Sequence, residues 1–217
     1  MAKSFPKARG LSRKAAVRDA NVEFVIVCEG KITEPTYFKR LQRLWHYPNT
    51  LLTIELIGAA GIPTSVVDRA IAERTQRVRQ NRRLKDSFDR FEVWAAFDRD
   101  NFEADVLNDA FQRAAANGIH VAFSNPCFEL WGVFHFECYN RPGHHHEIHK
   151  HLTKCLPTYH HEKSPVVCPF ELKTRYGDAV KNAAEARRLR GLDGSSDGDP
   201  STTVDLLTER LRVAAKR

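Results

Sequence analysis

The feature that most constrains this fold is a repeated alternation between short apolar runs and amphipathic stretches. Phe24-Val25-Ile26-Val27-Cys28 is a continuous apolar run rich in β-branched residues, and it stops at Glu29-Gly30-Lys31. A run of that length and type suits a strand buried on both faces, as in parallel sheets. Thr33 then reads as a helix cap with Pro35 in the first turn, and Tyr37, Leu41 and Leu44, flanked by Phe38 and Trp45, recur at helical spacing. The pattern repeats. A strand is expected over 51–57 and a helix from Pro63. A strand over 91–97 ends at Asp98-Arg99-Asp100 and is followed by a helix over 103–117 that stops at Gly118. A last strand covers 119–123, with Asn125-Pro126 read as cap and first-turn proline of a helix through His135. The order β-α-β-α-β-α-β-α implies an α/β class: a parallel sheet flanked by helices, with its site beyond the carboxyl ends of the strands.

The rest of the chain differs in kind. Residues 138–170 hold seven of the ten histidines, three of the five cysteines and four prolines. They read as an irregular, histidine-rich insertion with one short helix near 147–155. A basic helix is expected over 176–190, then a flexible acidic loop over 192–199. A final helix is expected from Asp199-Pro200-Ser201, with Val204, Leu207 and Leu211 on one face. This divides the chain into a basic flexible arm (1–21), a core (22–137) and a C-terminal loop and helical extension (138–217). No apolar run approaches the ~20 residues of a membrane span. The N-terminus has no apolar core of a secretory signal. An odd cysteine number without framework spacing suits reduced thiols, so a cytoplasmic protein is expected.

Charge then narrows the partner. Lys and Arg total 34 against 27 Asp and Glu, a net charge of +7. The excess is clustered: six basic residues against one acid over 1–20, seven against two over 74–90, and six against two over 173–190. Such clusters suit a polyanion, although solvated helix faces and a basic tail would produce them too.

Acid stands where the site should be. Glu29 follows the first strand, and Asp98 and Asp100 follow the third. In an extended segment residues two apart point the same way, so both aspartates are expected to face one site. Converging carboxylates repel unless a cation lies between them, and an oxygen-only donor set suits Mg²⁺ or Mn²⁺. Acid at the site and base around it is the layout of a metal-dependent nuclease. An isolated Asp-x-Asp is commonly a turn; the joint occurrence on two strand ends carries the reading.

Phe24–Gly30 with Thr33-Glu34 resembles the first motif of TOPRIM domains, and Phe97-Asp98-Arg99-Asp100 resembles their acidic motif. More specifically, Cys28–Glu34, Ser124-Asn125-Pro126-Cys127-Phe128-Glu129-Leu130-Trp131 and Pro200–Val204 are similar to the RloB-like family, over roughly residues 22–212. That resemblance implies a TOPRIM-like fold, a divalent metal and a nuclease activity linked to bacterial anti-phage defence. It implies Glu29 as general acid/base or metal-bound carboxylate and Asp98 and Asp100 as metal ligands. Glu34 is a further catalytic candidate. Glu129 is a candidate ligand for a second metal, or a helix N-terminal acid favoured by the dipole. Asn125 reads as a helix cap rather than a catalyst. Lys31 is a candidate to neutralise the scissile phosphate, or an exposed loop lysine.

Arg99, Lys173, Arg175, Arg187 and Arg188, with Lys31, are the candidate nucleic-acid contacts, sequence-independent and salt-sensitive. His135 is either a proton donor or a packed helix histidine. The histidines and cysteines of 138–170 invite a zinc reading, but their spacings match no standard finger. No G-x-x-x-x-G-K-[ST] phosphate loop occurs, so ATP control would come from an activator or ATPase partner. DNA or RNA, tRNA included, is the expected substrate, and a homodimer is compatible with the sequence. Two rival readings stand beside the nuclease: a non-catalytic nucleic-acid-binding or regulatory subunit, and a nucleotide sensor.

Overall fold

The computed structural model describes residues 22–48, 51–56, 61–84, 91–191 and 198–216. The expected basic arm, most of the acidic loop and part of the second basic cluster lie outside the described residues. Strands β1 (Glu23–Cys28), β2 (Leu52–Leu56), β3 (Phe91–Asp98), β4 (His120–Asn125) and β5 (Ser201–Thr202) form one sheet in the order β2-β1-β3-β4-β5. The first four are parallel, and β5 runs antiparallel to β4.

The alternating side chains of the strands feed two cores. Phe24, Ile26 and Cys28 of β1, Trp94 and Ala96 of β3 and Ala122 of β4 face one side. Val25, Val27, Val93, Ala95, Phe97 and Phe123 face the other. Helices α2 (Pro63–Leu84) and α3 (Ala104–Ala116) cover the second side with Val66, Val67, Ala70, Leu107, Ala110 and Ala114. Helices α1 (Thr33–Leu44), α4 (Glu129–Phe134), α5 (His145–Cys155), α6 (Pro169–Leu172), α7 (Tyr176–Leu189) and α8 (Val204–Ala215) supply the first side, including Tyr37, Leu41, Trp131, Leu152, Leu172, Ala183 and Leu207. The result is an α/β/α sandwich, the class the sequence predicts.

The two faces follow from handedness. Parallel crossovers are right-handed. The chain steps from β1 outward to β2 through α1, then returns past β1 to β3 through α2, so α1 and α2 lie on opposite faces. The direction of winding reverses between β1 and β3, and the crevice outside the strands' carboxyl ends at such a reversal is the usual ligand site of open α/β sheets. Glu29 and Asp98 flank that crevice.

Several local expectations change. Thr33 is the first residue of α1, not its cap; Ile32 precedes it and no side chain caps the helix. Asn125 is the last residue of β4 and α4 begins at Glu129, so neither Asn125 nor Pro126 starts a helix. The final helix starts at Val204 rather than at Pro200, because Ser201 and Thr202 pair with Asn125 and Ser124 as β5. The C-terminal extension therefore completes the sheet as well as packing on it. The histidine-rich segment carries α5 from His145, two residues before the expected start. Arg187 is 8% exposed; it ties α7 to α8 by twin bonds to Asp205 at 2.6 and 2.8 Å and donates to the Thr202 carbonyl. That corrects its expected role as a nucleic-acid contact.

Candidate metal centre

At the carboxyl end of the sheet a cavity of about 360 Å³ is lined by Glu29, Glu34, Asp98, Asp100 and Glu129, together with His145, His149 and His161. Among the described residues of its lining there is no lysine or arginine.

Each carboxylate is placed by backbone. The Glu29 N–H donates to the Ala96 carbonyl at 3.0 Å, extending the β1–β3 ladder one residue past the strand. Its Oε2 then accepts the Asp98 N–H at 3.2 Å. Asp98 Oδ2 accepts the Phe128 N–H at 2.9 Å, which joins the end of β3 to the segment after β4. Asp100 does not continue the extended geometry: its φ is 43°, a left-handed turn that aspartate tolerates better than most residues. The Arg99 N–H bonds the Ser124 carbonyl at 2.9 Å and the Asp100 N–H bonds the Pro126 carbonyl at 3.1 Å, fixing that turn. Both aspartates reach the cavity, Asp100 through this turn and not through strand alternation.

Glu34, 6% exposed in the first turn of α1, folds back so that Oε1 accepts the Gly30 N–H at 3.3 Å. A Cβ on Gly30 would lie 2.1 Å from Glu34 Oε2. The glycine after Glu29 is thus what lets a second carboxylate approach the loop. Glu129, 5% exposed at the start of α4, accepts the Tyr159 hydroxyl on Oε1 at 3.1 Å and faces His149 Nε2 across 3.5 Å on Oε2.

The electrostatics follow from this crowding. Burial pushes Glu29 up to about 7, opposed by the Asp98 N–H and helped by Asp100 and Glu34. Burial likewise pushes Glu34 up to about 7, helped by Glu129. Asp98 is raised well above the carboxylate range by burial and by Glu34, Asp100 and Glu129, and Asp100 is raised by burial and Glu129. Burial acts on Glu129 too, but His149 outweighs it and holds the group below its ordinary value. Four carboxyls held toward their neutral forms in one polar cavity are a site short of positive charge.

The donors fall into two sets. Glu29, Glu34, Asp98 and Asp100 offer only oxygen and fit a hard cation such as Mg²⁺ or Mn²⁺. Cys127, Glu129 and His149 add sulfur and nitrogen, with their ligating atoms within 4.8 Å of one another. Cys127 Sγ stands 3.8 Å from His149 Nε2, and the His149 ring stacks on His161 at 3.8 Å between centroids. Sequence reasoning assigned no role to Cys127, Asn101 or Tyr159; only the position of Cys127 inside the Ser124–Trp131 motif pointed to it.

The other predicted contacts scatter. Lys31 is exposed beside the cavity, in an adjoining cleft with Glu29, Gly30 and Pro165. Arg99 is half-buried and does not line the cavity. Lys173 borders a separate groove with Tyr37, Trp45 and His135, and the Arg175 guanidinium lies 5.0 Å from the Phe136 ring centre. Arg188 is exposed and pairs with Glu185 at 2.7 Å. His135, 1% exposed, bonds the Trp131 carbonyl through Nδ1 at 2.8 Å and does not line the cavity. It is the packed helix histidine of the two alternatives. No described helix is long and apolar enough to cross a membrane.

A family model described as RloB-like protein matches residues 24–211. No curated protein and no solved structure matches the chain.

Proposed function

The chain belongs to the RloB-like family, and we propose that it is a divalent-metal-dependent nuclease that hydrolyses phosphodiester bonds of DNA or RNA in bacterial defence against phage. The observation that carries this reading is the gathering of Glu29, Glu34, Asp98, Asp100 and Glu129 in one cavity with no lysine or arginine in its described lining. Such a cavity needs cations, and its hard oxygen donors suit Mg²⁺ or Mn²⁺.

When bound, the metal supplies charge for the phosphate and a water of lowered pKa. The chain's own groups do the rest. Asp98 and Asp100 would hold the cation, Asp98 with one oxygen already oriented by the Phe128 N–H. Glu29 has Oε2 engaged by the Asp98 N–H, which leaves Oε1 to exchange a proton with the attacking water or the leaving oxygen. Glu34 is buried behind Gly30 and orients that loop. Lys31, exposed beside the cavity, grips the phosphate backbone as a point charge. Control by an activator or an ATPase partner fits the lack of a phosphate loop in the sequence, and a cytoplasmic site fits its thiols.

The test is incubation of the purified protein and its Glu29→Ala variant with plasmid, single-stranded DNA and total tRNA, in Mg²⁺, in Mn²⁺ and in EDTA. Cleavage by the wild type alone, abolished by EDTA, is expected and names the substrate class. Salt-sensitive binding with no cleavage in any metal, with or without co-purified partners, would overturn the enzyme in favour of a binding subunit.

A further inference from the structure

Cys127 and Glu129 stand at the β4–α4 junction, whereas His149 comes from α5 in the histidine-rich segment. The fold brings them together from separate elements. A tetrahedral ion with a metal–sulfur bond of about 2.3 Å and metal–nitrogen or metal–oxygen bonds of about 2.0–2.1 Å has donor–donor edges of roughly 3.3–3.6 Å. The observed edges are 3.8 Å from sulfur to Nε2 and 3.5 Å from Nε2 to Oε2, close to that figure before any ion draws them in. The outer contacts match as well: Tyr159 donates to the other Glu129 oxygen, the arrangement that orients a ligating carboxylate.

We propose that Cys127, Glu129 and His149 form a zinc-class cation site beside the hard-cation carboxylates, with its fourth position open to the shared cavity. Thiolate and imidazole select such an ion over Mg²⁺. Three protein ligands with one open place is the coordination of zinc sites that take water or substrate, not of closed structural ones. Binding expels the Cys127 thiol proton to solvent and uses His149 neutral, with Nε2 as donor. The ion would also clamp α5 to the end of β4. The proposal rests on these three side chains and not on the nuclease reading.

The test titrates Co²⁺ into the chelator-treated full chain. One equivalent is expected to give a thiolate-to-cobalt charge-transfer band with the visible bands of a four-coordinate ion, displaced by Zn²⁺ and insensitive to excess Mg²⁺. Cys127→Ser abolishes the charge-transfer band, and His149→Gln weakens cobalt binding at least about tenfold. Cys155→Ser and the combined His144→Ala, His145→Ala, His146→Ala variant keep it. Melting curves in EDTA that match the wild type check that the variants fold, and His149→Gln leaves the buried Ile148 and Leu152 of α5 in place. A spectrum without charge transfer, a band that survives Cys127→Ser, or one lost with the histidine triplet would overturn the site. A failed nuclease assay would leave this spectrum unchanged.

Discussion

Burial and the Glu34, Asp100 and Glu129 carboxylates push the Asp98 carboxyl upward against one N–H from Phe128. A residue held this way is costly without a cation, so its removal separates stability from activity. Asp98→Asn keeps an oxygen for the Phe128 N–H and removes a like charge. We expect it to melt at or above the wild type in EDTA, by about 1 kcal/mol, because groups tuned for a function are often suboptimal for the fold. We expect Mg²⁺ to raise the Tm of the wild type but not of this variant, and, on the proposed nuclease reading, cleavage to fall at least about 100-fold. Calorimetry with and without Mg²⁺ and a cleavage assay check this. A large destabilisation in EDTA would show that Asp98 is held for packing. Gly30 belongs to the same scale: its hydrogen side chain is what admits the Glu34 carboxylate to the loop.

Among elements, the joint between α7 and α8 carries the clearest energetic statement. Removing the Arg187 guanidinium leaves Asp205, 2% exposed, without its partner. Arg187→Met is expected to cost about 3–5 kcal/mol, whereas Arg187→Met with Asp205→Leu recovers most of it. Arg188→Ala, at an exposed and solvent-screened pair with Glu185, leaves stability close to the wild type. Urea unfolding measures all three. Adjacent arginines thus have opposite roles, and a count of charges could not tell them apart, because the partner of Arg187 lies on another helix, 18 residues along the chain and beyond β5. The same limit governs the rest of what was legible. Strands β1, β3 and β4 showed as apolar runs because each is buried on both faces. Strand β5 has two residues and no pattern. Asn125-Pro126 has the chemistry of a helix start and ends a strand instead. Glu29, Asp98 and Asp100 stood out because strand ends are readable. The meeting of Cys127 with His149 depends on how α5 packs, which no spacing states.

For the molecule as a whole, stability against pH sums opposed contributions. Glu29 and Glu34 are raised from 4.5 to about 7 in the folded chain. Their contribution is fully present below 4.5 and is lost as pH rises through 7. Burial lowers His135 from 6.5 to about 4. Its contribution is present above 6.5 and is lost as pH falls toward 4, a loss of about 3 kcal/mol. In EDTA the Glu29→Gln, Glu34→Gln double variant should therefore lose less stability than the wild type between pH 5 and pH 8, and His135→Gln should lose less on acidification from pH 6.5 to 4.5. Chemical unfolding at each pH checks both, and parallel profiles for variant and wild type would refute the assignment. The strand order has a further consequence. Strand β5 pairs with Ser124 and Asn125, immediately before the segment that presents Cys127, Phe128 and Glu129. A chain still on the ribosome makes Glu29, Asp98 and Glu129 long before residues 201 and 202. Until those emerge, the outer edge of β4 at Ser124 and Asn125 lacks its β5 partner, and the segment carrying Cys127, Phe128 and Glu129 is held from the β3 side alone.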